Sequence, residues 1–305
     1  VLRAETFQAV NLLPLIGDNK LSRAGILLPS YRNQVAFLDL FDENLPTTNY
    51  NWYMSATSGA GKSVMAQAIV NQVLDTSRHC YLFSILGILY KAFCSSRGGQ
   101  YINGSTLRFN PFANLTNIEE QAERVRDQLC ILASPNGLLD DVHQSLILRA
   151  ITEQFPRYQQ GMRIDHIVDY LQKHKNEVRD SERIGGRIDE ITHLLQKYTT
   201  KGVYGKYFNS DKPTLNPDMQ FVVTELGDLR QTGDLLMAVL FTLMIWVEST
   251  MYMTPRNIRK LNLIDEGWKL LSASSQKVTQ FIEEGYRTAC RHNGSFGTSN
   301  ASRKR

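Results

Sequence analysis

The 305-residue chain is 42% hydrophobic and 21% charged, an ordinary soluble balance with length for one large domain or two modest ones. Its net charge of +4 comes from basic residues scattered among acidic ones, which permits a nucleic-acid or anionic-membrane partner without arguing for either. Cys80, Cys94, Cys130 and Cys290 form no CxxC pair, so neither a metal cluster nor a disulfide framework is suggested, and a reducing cytoplasmic compartment fits best.

Residues Gln34–Phe41 are apolar and weakly alternating, which predicts a strand. Asn51–Ala56 predicts a second strand, running straight into the stretch SATSGAGKS (Ser55–Ser63). From Lys62 to Leu74, Val64, Met65, Ala68, Ile69 and Val73 fall at helical spacing, and His79–Ile85 is the next strand. Strand, glycine loop, helix and strand make a βαβ unit, which implies a parallel sheet. From about Ile118 to Tyr204 the chain is charged and helical, with runs at Ile118–Leu132, Val142–Phe155 and Ile184–Tyr198. Breaks fall at SPNG (Ser134–Gly137) and FPRYQQG (Phe155–Gly161). Strand signals return at Gln220–Leu226 and Lys260–Glu266. Between them, the apolar run Leu235–Val247 is short of the ~20 residues of a membrane span and reads as a buried helix. The expected domains are an α/β nucleotide-binding core from 1–115 and 205–305, interrupted by an all-helical insertion at 116–204.

The stretch Ser55–Ser63 ends as a phosphate-binding loop does, in Gly-x-Gly-Lys-Ser, but Ala56 stands where the pattern G-x-x-x-x-G-K-[ST] has its first glycine. Backbone N–H groups of Ser58, Gly59, Ala60 and Gly61, with the N-terminus of the following helix, would cradle phosphate oxygens. Lys62 would reach the β- and γ-phosphates of ATP, and the Ser63 hydroxyl would ligate Mg²⁺. The methyl of Ala56 is tolerable if its φ stays negative and strained otherwise.

Hydrolysis needs a second, acidic site. The apolar strand ending in Asp265-Glu266 supplies it: Asp265 would hold Mg²⁺ through water, and Glu266 would orient and deprotonate the attacking water. Two solvated acids capping a strand would be the bland reading of this pair alone; the neighbouring loop tips the balance. Arg287 and Arg291, four apart in a predicted helix, are candidates for a transition-state charge offered to a neighbouring subunit. Glu225, ending the strand FVVTEL, is a candidate polar group near the γ-phosphate.

The segments NLLPLIGD, SGAGKS, YKAFCSSRGGQYINGSTLRFNPFANL, ERVRDQLCILASPNG, NLIDEGWKLL and FIEEGYRTACRHNGSFGT resemble the TraC-type ATPases of F-like conjugative plasmids, within the wider family of type IV secretion ATPases. The resemblance runs from about Asn11 to Thr298 and corresponds to the ATPase half of the family's longer chains. It implies a RecA-like core with a helical insertion. It also implies a homo-oligomeric, hexameric ring at the cytoplasmic face of the bacterial inner membrane. There the ring would work with other secretion-system subunits to drive pilus assembly and conjugative transfer. Lys62, Ser63, Asp265 and Glu266 match the family's motif positions.

Three departures stand out. Ala56 replaces a glycine, and Ser84 in the stretch Leu82–Phe93 sits where the family has an aspartate. After Asn293–Thr298 the chain reads SNASRKR, where the family continues into a strand with a nucleotide-sensing glutamine. Two other readings follow: a single-stranded DNA translocase of the same fold, for which no interleaved basic and aromatic stretch is found, or a nucleotide-binding module without turnover.

Overall fold

The computed structural model describes residues 22–301 apart from 30–34, 46, 48, 58, 77–78, 85–89, 114, 116, 136, 138, 178–181, 217, 267–282, 284 and 288. Two short strands, β1 (Ile26–Pro29) and β2 (Val35–Leu38), pair antiparallel as a separate two-stranded sheet. The strand expected at Gln34–Phe41 is therefore real but shorter, and lies outside the main sheet.

The main sheet holds β3 (Trp52–Ala56), β4 (His79–Ser84), β5 (Gln100–Asn103), β6 (Phe221–Glu225), β7 (Lys260–Asp265) and β8 (Gly294–Ala301). Their order is β3-β8-β7-β4-β6-β5, and every neighbouring pair runs parallel. Helix α1 (Lys62–Asp75) links β3 to β4, and α2 (Lys91–Ser96) precedes β5. The helical segment comprises α3 (Ile118–Ala133), α4 (Asp141–Tyr158), α5 (Ile164–Glu177), α6 (Glu182–Gln196) and the single turn α7 (Gly205–Phe208). Helix α8 (Gly233–Met253) returns the chain to β7.

Both faces of the sheet are covered, as the continuous apolar runs of its central strands require. Along β4, Cys80 and Leu82 face α1, joining Ala66, Ile69, Val70, Val73, Leu261 and Leu263 in one core cluster. Tyr81 and Phe83 face the other way, into a cluster that contains α8 and the helical segment together. There Tyr81 meets Trp246 edge-on, with ring centroids 5.1 Å apart. The helical segment thus shares its hydrophobic core with one face of the sheet.

Helix α4 continues through Pro156 to Tyr158, so the break expected from Phe155 begins only at Gln159, whose φ is +47°. Helix α5 and strands β1, β5 and β8 carry no signal read from the sequence. Helix α8 is 21 residues rather than the apolar 13 from Leu235 to Val247, long and apolar enough by those measures to cross a membrane. Two-thirds of its most apolar window is buried inside the protein, which makes it a core helix here.

One buried charge organises the N-terminal end of the sheet. Lys260, with no exposed surface, donates through Nζ to the carbonyls of Thr254 (3.3 Å), Pro255 (3.2 Å) and His292 (3.0 Å). Burial pushes its pKa down. The ammonium joins the end of α8, the start of β7 and the turn before β8. Lys260→Met keeps the stem but leaves the carbonyls without their donor. The expected cost is about 3 kcal/mol in urea unfolding, and a loss below about 0.5 kcal/mol would contradict this account.

Candidate nucleotide site

At the carboxyl ends of the parallel strands, where open α/β sheets bind ligands, the chain assembles the residues its motifs single out. Ala56 is the last residue of β3, extended and paired with Ala301. A methyl group is therefore harmless at this position. The loop turns at Gly59 (φ +83°) and Gly61 (φ +84°), a backbone that L residues adopt only with strain. A Cβ on either would project into open space beside the loop. The Ala60 N–H donates to the Thr57 carbonyl at 3.2 Å and closes the turn. Ser58 lies outside the described residues.

Gly61 is the N-cap of α1 and brings no side-chain hydrogen bond, and the first helical turn has no acidic residue. By contrast, α3 is capped by the Asn117 side chain and α4 by that of Asp140. The first N–H groups of α1 are thus left for an anion from outside the helix.

Register brings the acidic pair opposite this loop. Asp265 ends β7, with Ser84 of β4 on one side and Ser299 of β8 on the other. Asp265 and Glu266 are each 1% exposed. Lys62 Nζ lies 3.2 Å from Asp265 Oδ1 and 2.6 Å from Glu266 Oε1. Burial acts to lower the Lys62 pKa, but the hydrogen bond to Glu266 and the charge of Asp265 outweigh it, so the net shift is upward. The lysine is a cation at any physiological pH. Glu266 has φ +59°, and its N–H donates to the Ser299 carbonyl at 2.7 Å. A left-handed glutamate directly after a buried strand is a strained placement of the kind that gathers at functional sites.

Asp265 is held from two more directions. The Tyr90 hydroxyl donates to Oδ2 at 3.0 Å, and the Ser299 hydroxyl donates to Oδ1. Ser63 approaches the same Tyr90 hydroxyl. Desolvation, then the charge of Asp265, raise the Tyr90 pKa, so it remains a neutral donor. Ser63 and Asp265 offer hard oxygen donors on either side of Tyr90, a chemistry that suits Mg²⁺.

The remaining candidates lie elsewhere. Glu225 ends β6, with β4 between it and β7, and it accepts from the Gly227 N–H at 2.9 Å. Two strand spacings put it roughly 10 Å from Asp265, so the structure gives it a turn-capping contact rather than a place beside Lys62. Arg287 and Arg291 are both exposed. Arg291 lies in the 3₁₀ turn Cys290–His292 rather than in one continuous α-helix with Arg287. Arg291 precedes the start of β8, at the end of the sheet opposite Lys62. The length of β8 separates them by roughly 20 Å.

Tyr90 and Ser299 were not singled out by sequence reasoning. A lone tyrosine and a serine among glycines carry no spacing signal; strand register brings Ser299 to Asp265, and Tyr90 reaches it from the turn before α2.

The chain matches the TraG P-loop domain over residues 30–298. It is 49% identical over 300 residues to Protein TraC of Escherichia coli (strain K12), covering 98% of this chain and 34% of that one. It therefore spans about a third of the length of this curated relative. Among solved structures, VirB4 of Thermoanaerobacter pseudethanolicus superposes with a TM-score of 0.72 at 19% identity, over 92% of this chain and 78% of that one. The plasmid coupling protein TrwB, in complex with ADP and Mg²⁺, superposes with a TM-score of 0.55 at 12% identity, over 83% and 63% of the two chains. These two likenesses speak to the fold.

Proposed function

Because the chain belongs to the TraG P-loop domain family, we propose that it binds ATP with Mg²⁺ and hydrolyses it as a motor domain of a type IV secretion or conjugation machine. The observation that carries this reading is the convergence of Lys62, at the uncapped start of α1, on Asp265 and Glu266 at the end of β7. The loop and the α1 N-terminus receive the phosphates, and Lys62 leaves its carboxylates to meet them. Ser63 and Asp265 would hold the metal, which neutralises phosphate charge when bound. Glu266 takes the proton of the attacking water. The test is ATP affinity and turnover measured together, with and without Mg²⁺. Metal-independent binding with no turnover would leave a nucleotide-binding module only.

The work of such a domain, on this reading, is pilus assembly and conjugative transfer, within a homo-oligomeric ring at the cytoplasmic face of the inner membrane and alongside other secretion-system subunits. Identity to TraC supports it. The ring also gives the arginines a place to act. At roughly 20 Å from its own loop, Arg291 can serve only a neighbour's site. Turnover should then rise more steeply than linearly with protein concentration. Arg287→Ala or Arg291→Ala subunits should regain activity when mixed with Lys62→Ala subunits, because an intact arginine then faces an intact loop. Fast turnover independent of concentration would remove the arginines from the mechanism.

A further inference from the structure

The proposed nucleotide reading leaves open what fixes the orientation of Asp265, and on that reading the geometry points to Tyr90 and Ser299 as positioning residues for the Mg²⁺ site. A carboxylate has two oxygens with about four lone-pair sites. Here Lys62 and Ser299 both donate to Oδ1, and Tyr90 donates to Oδ2. Three positions are filled and about one remains. When Lys62 turns to phosphate, the two hydroxyls stay, one on each oxygen. The carboxylate then cannot rotate about its Cβ–Cγ bond without breaking one of them.

The two hydroxyls come from rigid and unrelated parts of the fold. Tyr90 is fully buried just before α2, its ring packed in the core cluster beside α1. Ser299 is fully buried in β8, directly across the ladder from Asp265. Ser63 also lies close enough to the Tyr90 hydroxyl to act on its ionisation. The phenol that holds Asp265 therefore stands near both groups proposed to hold the metal. Hydrogen-bond partners one step out from a metal commonly change its affinity by about 10- to 100-fold when removed.

A buried tyrosine needs some partner for its hydroxyl in any case, so a packing role has to be told apart from a positioning one. Tyr90→Phe keeps the ring and removes only the hydroxyl, and Ser299→Ala does the same from the other side. The measurement is the affinity of a fluorescent ADP analogue across a Mg²⁺ titration, with a metal-free series in chelator and a thermal unfolding scan. Each variant should need about tenfold more Mg²⁺ for half-maximal tightening of the analogue, while metal-free affinity stays unchanged. A lower unfolding temperature with an unchanged Mg²⁺ requirement would reduce both residues to packing and overturn the inference, leaving the nucleotide site intact. No nucleotide binding by the parent chain would take down the site itself, and the inference with it.

Discussion

Lys62→Ala is expected to lose nucleotide binding by at least about a hundredfold, and to lose stability as well. The two effects share one cause. Asp265 and Glu266 are almost wholly buried, and the Lys62 ammonium, with 9% of its side chain exposed, is the cation that both of them contact. Removing it leaves two carboxylates facing the space where phosphate would bind, so an attraction becomes a repulsion. Breaking a buried ion pair from one side costs about 3–5 kcal/mol, and the low end suits a lysine at the mouth of its site. Because the Lys62 pKa is raised, its contribution is complete at neutral pH and fades only as pH climbs through that raised value. The stability change should therefore be flat from about pH 6 to 8. Nucleotide affinity by calorimetry and unfolding by urea give the two readings separately. Unchanged affinity in a folded variant would take the phosphates away from this loop.

What could be read along the chain was what lies contiguous in it. The loop, its helix and the acidic end of β7 are local patterns, and each predicted element stands within a few residues of its place. Helix α8 was legible because apolar residues run on without a break. Strand β8 was not, since Gly294-Ser-Phe-Gly-Thr-Ser-Asn-Ala301 has the composition of a turn. Its glycines answer to packing: a Cβ on Gly297 would come within 2.3 Å of the Trp52 ring, and one on Gly294 within 2.6 Å of Met251. That constraint exists only once β3 and α8 are in place. Reading the next strand beyond Thr298 therefore missed that Gly294–Ala301 is itself the strand beside both β3 and β7. The same cause hid Ser299 and Tyr90, whose partner is 34 and 175 residues away in sequence. The turn at Arg291 was hidden in another way: spacing of four suits an α-helix, while Cys290–His292 is a 3₁₀ turn just before β8.

Glu266→Gln should separate the two tasks that Glu266 combines. In the structure its carboxylate holds the Lys62 ammonium at 2.6 Å, and incoming phosphate has to compete with that contact. Glutamine keeps an oxygen there but removes the charge, so the lysine is released more readily. ATP affinity should stay level or rise severalfold, the opposite of Lys62→Ala. Backbone strain is not relieved by this change, since glutamine must take the same φ of +59° as the glutamate it replaces. Turnover should fall by about 10²- to 10⁴-fold, because an amide cannot accept the proton of the attacking water. Nucleotide affinity and single-turnover hydrolysis, measured on one preparation, distinguish the outcomes. Tighter binding with undiminished hydrolysis would make Glu266 a latch on Lys62 and nothing more, and the base would have to be sought elsewhere. Weaker binding would mean that Glu266 helps hold the nucleotide and that its contact with Lys62 survives phosphate entry. Only tighter or equal binding with hydrolysis lost assigns both roles to one side chain, latch before ATP arrives and base afterwards.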